Sequence, residues 1–162
     1  MQVIKDNQVV EDDWQRIQGD AVQDIPDTGD IIVALSVWKQ QREELEARSG
    51  RVGVCLQGEE DPAELRDDLD QLEMIALEFP VFKDGRSYSN ARLLRDRYGY
   101  KGELRAVGDV LRDQIYFMRR CGIDSFQIRP DKSIKDAVKG LQDFSVTYQT
   151  AADGALPVYK QR

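Results

Sequence analysis

The chain contains no histidine. Without an imidazole it has no Ser-His-Asp or Cys-His nucleophile pair, no histidine acid/base step near neutral pH and no ordinary histidine-containing zinc site. Its two cysteines, Cys55 and Cys121, are too few for a four-thiolate zinc or iron–sulfur site and make no disulfide framework. Neither GxGxxG nor GxxxxGK[ST] occurs, so no cofactor is evident and no metal site is expected. Positive charge is also short: 23 Lys and Arg face 30 Asp and Glu, a net charge of −7. That balance disfavours a sequence-independent grip on nucleic acid or on an anionic membrane surface. The longest apolar run, Ile31–Leu35, is far below the ~20 residues of a membrane helix. Residues 1–14 have neither the basic nor the apolar region of an export signal, so a cytoplasmic location is expected.

What is present is the composition of a soluble globular domain, with 162 residues, 41% hydrophobic and 33% charged. One domain is expected over 1–162: an N-terminal hairpin and loop at 1–29, a βα-repeat core at 30–142, and a C-terminal strand and tail at 143–162. The first turn falls at Asp6-Asn7, between short strands at Gln2–Lys5 and Gln8–Val10. Apolar runs suited to buried strands follow at Ile31–Leu35, Val52–Leu56, Met74–Phe79, Leu104–Val107 and Ser125–Ile128, each leading into a helical pattern. Leu65, Leu69 and Leu72 form one helical stripe after Pro62. Tyr88, Ala91, Leu94 and Tyr98 form a second, stopped by Gly99, and Leu111, Ile115 and Met118 a third, stopped by Gly122. Helices are also expected near Val37–Arg48 and Ser133–Leu141, and a strand at Ser145–Tyr148. The fold class is therefore α/β: about five βα units forming a mainly parallel sheet, open or an incomplete (β/α) barrel, with a short N-terminal hairpin.

In either architecture ligands bind beyond the carboxyl ends of the strands. The longest loop there runs from Pro80 to Ser89. Asp84-Gly85 makes a tight turn, and Arg86, with Ser87 and Tyr88 at a helix start, is a candidate clamp for a small anion. The plainer reading makes Asp84 a turn residue, Ser87 an N-cap and Arg86 a solvated side chain. Asp109, where the fourth strand enters its helix, is either an N-cap or a group that orients Arg129 or moves a proton. Asp113 and Gln114 lie one turn on and can line the same opening, while Arg112 is expected to face outward. The many arginines of 86–120 suit either a solvated, ion-paired face or a dock for an acidic partner. Cys121 is read as structural or redox-active, and Cys55 as core.

Three segments, FPVFKDGRSYSNARLLR, GYKGELRAVGDVLRDQ and RRCGIDSF, carry a resemblance. They are similar to a bacterial family of uncharacterised proteins labelled oxidoreductases of sulfite reduction and encoded beside sulfite reductase and phosphoadenylyl-sulfate reductase. The resemblance implies a role in sulfur assimilation, with sulfite reductase or another protein of that pathway as partner. It supplies no demonstrated catalytic residue. Three readings stand open: an accessory that binds a sulfur oxyanion through Arg86 and Arg129 or docks sulfite reductase; a stand-alone enzyme using Asp109 or Asp113 on a small anionic substrate; and a non-catalytic assembly module.

Overall fold

The computed structural model describes residues 1–17 and 25–160. Its strands are Gln2–Lys5 (β1), Gln8–Glu11 (β2), Gln15–Arg16 (β3), Ile31–Ala34 (β4), Val52–Leu56 (β5), Met74–Phe79 (β6), Glu103–Gly108 (β7) and Ser125–Phe126 (β8). They form one 8-stranded sheet in the order β2-β1-β8-β7-β6-β5-β4-β3. From β3 to β8 every neighbouring pair is parallel, and β1 joins β8 antiparallel with β2 at the edge. Asp6 and Asn7 turn the hairpin at φ 52° and 60°, the left-handed pair of a type I′ turn.

Because successive parallel strands are neighbours, right-handed crossovers place every connection on the same face, and the sheet curls into a half-barrel. The side-chain period of two then separates two interiors. Ile31, Val33, Val54, Leu56, Ile75, Leu77 and Leu104 point outward into a core shared with the helices, among them Trp38, Leu94, Ile115 and Met118. Ile32, Cys55, Met74, Ala76 and Val107 point to the concave side, where they join Trp14 in a smaller apolar cluster.

Of the helices Leu35–Ala47 (α1), Arg86–Arg92 (α2), Arg112–Arg120 (α3) and Ile134–Ala137 (α4), α2 and α3 form on two of the apolar stripes, and α1 and α4 form where helices without such a stripe are expected. A π-turn, Leu93–Arg97, extends α2 toward Gly99, and Gly122 at φ 101° ends α3.

Several expectations are corrected. The sheet has more strands than five units provide, because Gln15–Arg16 pairs with Ile31 and Ile32 inside a stretch read as loop; part of that stretch, 18–24, lies outside the described residues. The stripe at Leu65, Leu69 and Leu72 does not make an α-helix. A 3-10 turn, Pro62–Leu65, is followed by further three-residue turns, with Asp68 N–H bonding the Leu65 carbonyl and Gln71 N–H the Asp68 carbonyl. Asp67, Asp68 and Asp70 are poor helix interior residues, and Asp68 is diverted to accept the buried Trp38 indole N–H at 2.8 Å. No strand forms at 145–148, where Val146 and Tyr148 are exposed and the Thr147 carbonyl accepts from Val158 N–H instead. Strand β8 stops at Phe126, since Arg129 N–H turns to the Val110 carbonyl. Among the described residues, no helix is long and apolar enough to cross a membrane.

Candidate functional site

The loop after β6 is built around one carboxylate. Asp84 Oδ1 accepts from Arg86 backbone N–H at 3.1 Å and from Arg86 Nε at 3.0 Å, while Oδ2 accepts from Arg86 Nη2 at 2.6 Å. Glu59 lies 3.5 Å from the same guanidinium. The fork geometry is that of a bidentate pair, and Arg86 holds the Asp84 carboxyl down to about 2. Ser87 is not the N-cap; Gly85 occupies that position. Instead the buried Ser87 hydroxyl donates to the Glu78 carbonyl at 2.5 Å, tying the start of α2 to the end of β6.

Tyr88 is half-buried with its ring centroid 5.1 Å from Phe79 and 5.2 Å from Phe117. Burial pushes its phenol upward, against a hydrogen bond with Gln114. Gln114 Oε1 accepts from Leu111 N–H at 3.1 Å and so caps α3. Leu111 therefore takes the N-cap position offered to Asp109. Asp109 turns to Arg129, whose Nη1 donates to its Oδ1 at 2.8 Å, while Nε and Nη2 donate to Asp131 at 2.9 and 3.0 Å. Asp113 is exposed in the first turn of α3. The candidates thus fall into separate groups, Asp84 with Arg86, Tyr88 with Gln114, and Asp109 with Arg129. No hydrogen bond or ion pair among the described residues joins Arg86 to Arg129.

The helix arginines are also held within the molecule. Arg92 pairs with Asp96, Arg95 with Asp124, Arg112 with Asp136 and Asp143, and Arg120 with Asp153. Arg97 and Arg119 lie over the rings of Tyr98 and Tyr116. Cys121 is buried, and burial raises its thiol against the pull of Arg92 and Arg120.

The concave face holds two further clusters that sequence reading passed over. Arg105, 1% exposed, donates to Asp12 at 2.7 Å from both Nη1 and Nη2, and to Glu103 from Nε at 2.9 Å and Nη2 at 2.7 Å. Lys5 Nζ adds a 2.6 Å bond to Glu103, so these charges tie β7 to the hairpin and to the segment before β3. At the carboxyl ends of the strands, Glu78 Oε2 receives both the Arg16 guanidinium and the Cys55 thiol, the latter at 3.6 Å. The curl brings β3 and β6 within reach of one another there. The signal for both clusters was a charged residue breaking an apolar strand, Glu78 in MIALEF and Arg105 in ELRAVG.

Fold and site together define a singly wound α/β half-barrel with ion-paired arginines in its βα loops and a thiol–carboxylate–guanidinium cluster inside its mouth. Residues 53–159, about two-thirds of the chain, match the family model described as "Bacterial protein of unknown function (DUF934)", and the chain belongs to that family. The match includes Cys55, Glu78, Arg86 and Arg129 and begins after β4, so Arg16 lies outside it. No curated protein matches the chain.

Proposed function

We propose that this protein is an accessory of assimilatory sulfite reduction that docks sulfite reductase through apolar side chains at the strand-end loops. The observation that carries the reading is the exposure of Val81, Phe82 and Phe117, each more than half open to solvent, on the β6–α2 loop and on α3. Aromatic side chains set among charged neighbours are the usual anchors of a protein interface. Arg86 and Arg129 weigh in the same direction. Each already holds carboxylates through two or more N–H groups, so a sulfur oxyanion would have to displace a bidentate partner to bind. Support for the pathway comes from the resemblance carried by the segments around Arg86, Asp109 and Cys121.

Growth on sulfate as sole sulfur source separates docking from anion capture. Cells carrying Phe82→Asp with Phe117→Asp grow poorly and recover on cysteine, whereas cells carrying Arg86→Ala with Arg129→Ala grow nearly normally. Normal growth of the phenylalanine pair together with failure of the arginine pair overturns the docking reading.

A further inference from the structure

A nucleophile, a base and a cation meet inside the half-barrel mouth. Cys55 is the penultimate residue of β5, Glu78 the penultimate residue of β6 and Arg16 the last residue of β3, so all three lie at the carboxyl edge where ligands of such sheets bind. Both the thiol and the guanidinium address the same atom, Glu78 Oε2. On the other side, Gly108 sits at φ 94°, and a Cβ there would lie 3.0 Å from Glu78 Oε1 and 2.5 Å from the Phe79 carbonyl oxygen. The carboxylate thus lies close against the Gly108 backbone, and by strand alternation and register it shares the concave face with Met74, Ala76 and Val107. Exposure rises across the cluster from 4% for Cys55 to 14% for the Glu78 side chain and 33% for that of Arg16. A visitor from solvent meets the cation first.

We propose that Cys55, Glu78 and Arg16 form a thiol site for a small anion that carries an electrophilic atom. Arg16 binds the anionic group, Glu78 accepts the thiol proton, and Cys55 Sγ attacks. In the resting arrangement Arg16 neutralises Glu78 and the thiol stays protonated; burial pushes it up to about 12, against the pull of Arg16 and with a further upward push from Glu78. The charged groups that reach it are Arg16 from β3, Glu78 from β6 and Glu60 beyond the end of β5. An anion that takes the Arg16 guanidinium leaves Glu78 uncompensated, and an uncompensated, partly buried carboxylate is a better base. With iodoacetate as electrophile the balance is simple. The S–H proton passes to Glu78, a sulfur–carbon bond forms, and iodide departs with the electron pair of the broken carbon–iodine bond.

This site does not rest on the docking proposal, and its test uses the isolated protein. The rate of Cys55 labelling is read by peptide mass spectrometry with iodoacetate and with neutral iodoacetamide, with Cys121, comparably buried, measured in the same digest. Iodoacetate is expected to label Cys55 faster than iodoacetamide, and Arg16→Gln to lower that ratio at least tenfold without a comparable change at Cys121. The pH profile isolates Glu78. If the carboxylate takes the proton, the Cys55 rate is nearly flat from pH 6 to 9, and Glu78→Gln slows labelling and restores a tenfold rise per pH unit. A thiol that Glu78 merely repels behaves oppositely: wild type climbs tenfold per unit, and Glu78→Gln labels faster. That result overturns the proposal. So does a Cys55 that stays unlabelled by both reagents over a time in which the unfolded chain reacts fully. Should Glu78→Gln fail to fold, the wild-type pH profile decides alone.

Discussion

Replacing Arg105 by methionine tests how the half-barrel is closed at its hairpin edge. The guanidinium is 1% exposed and makes four N–H contacts of 2.7–2.9 Å to Asp12 and Glu103, whose side chains are 9% and 11% exposed. Methionine keeps the apolar stem and ends short of the guanidinium, so most of the loss is electrostatic. Breaking a buried ion pair by removing one partner costs about 3–5 kcal/mol, because the other charge is left without compensation. Glu103 keeps Lys5 at 2.6 Å, while Asp12 loses both guanidinium contacts, which points to the lower end, about 3 kcal/mol. For a chain of this size that is a fall of roughly 6–12 °C in Tm. Urea unfolding measures it as a lower midpoint at unchanged slope. Adding Asp12→Leu to Arg105→Met removes the stranded charge and is expected to recover part of the loss. The pH dependence has a defined sign. Burial would raise the Glu103 carboxyl, but Lys5 and Arg105 outweigh it and hold the carboxyl below its ordinary 4.5 in the folded state. Its contribution is therefore complete above about pH 4.5 and is lost as pH falls through the folded value. Arg105→Met should flatten this acid-side slope. A loss below about 1 kcal/mol with the slope intact would refute the reasoning, since the two carboxylates would then reach water without the guanidinium.

Three further outcomes follow from named contacts. Gly108→Ala, at φ 94° with its new Cβ against the Phe79 carbonyl, should cost about 1–3 kcal/mol by urea unfolding, more than Gly85→Ala, where no atom lies within 4 Å. The Asp84 carboxyl should titrate by NMR near 2, and Arg86→Gln should return it toward its ordinary 3.8. Its contribution to stability, like that of Glu103, is lost as pH falls through the folded value. Phe82→Asp with Phe117→Asp should leave Tm within about 4 °C of wild type, because surface substitutions usually stay within ~0.5 kcal/mol each; a larger fall would make the two rings parts of the fold.

The βα rhythm was legible because buried parallel strands are continuous apolar runs, and Val52–Leu56 and Met74–Phe79 form at the bounds read from sequence. Strand order was not legible, since an open sheet and a half-barrel use the same runs. The two-residue strand Gln15–Arg16 has no apolar character to announce it. Arg86 and Arg129 were found by position at the strand ends, and Asp109 as a group that could orient Arg129 across the loops, but the bonds that Asp84 and Asp131 accept from arginines two residues away became visible only in three dimensions. Cys55 was read as core because its strand is apolar. It is buried in the smaller apolar cluster, and the alternation of strand side chains, which a continuous apolar run hides, also turns it toward a carboxylate from β6 that pairs with a guanidinium from β3.

The docking claim is tested most directly by sedimentation velocity on the purified protein mixed with sulfite reductase from the same cells. A single faster boundary carrying both proteins is expected for wild type, and separate boundaries for Phe82→Asp with Phe117→Asp. Wild-type protein that sediments on its own at every ratio, or a double variant that still travels with the reductase, would contradict it.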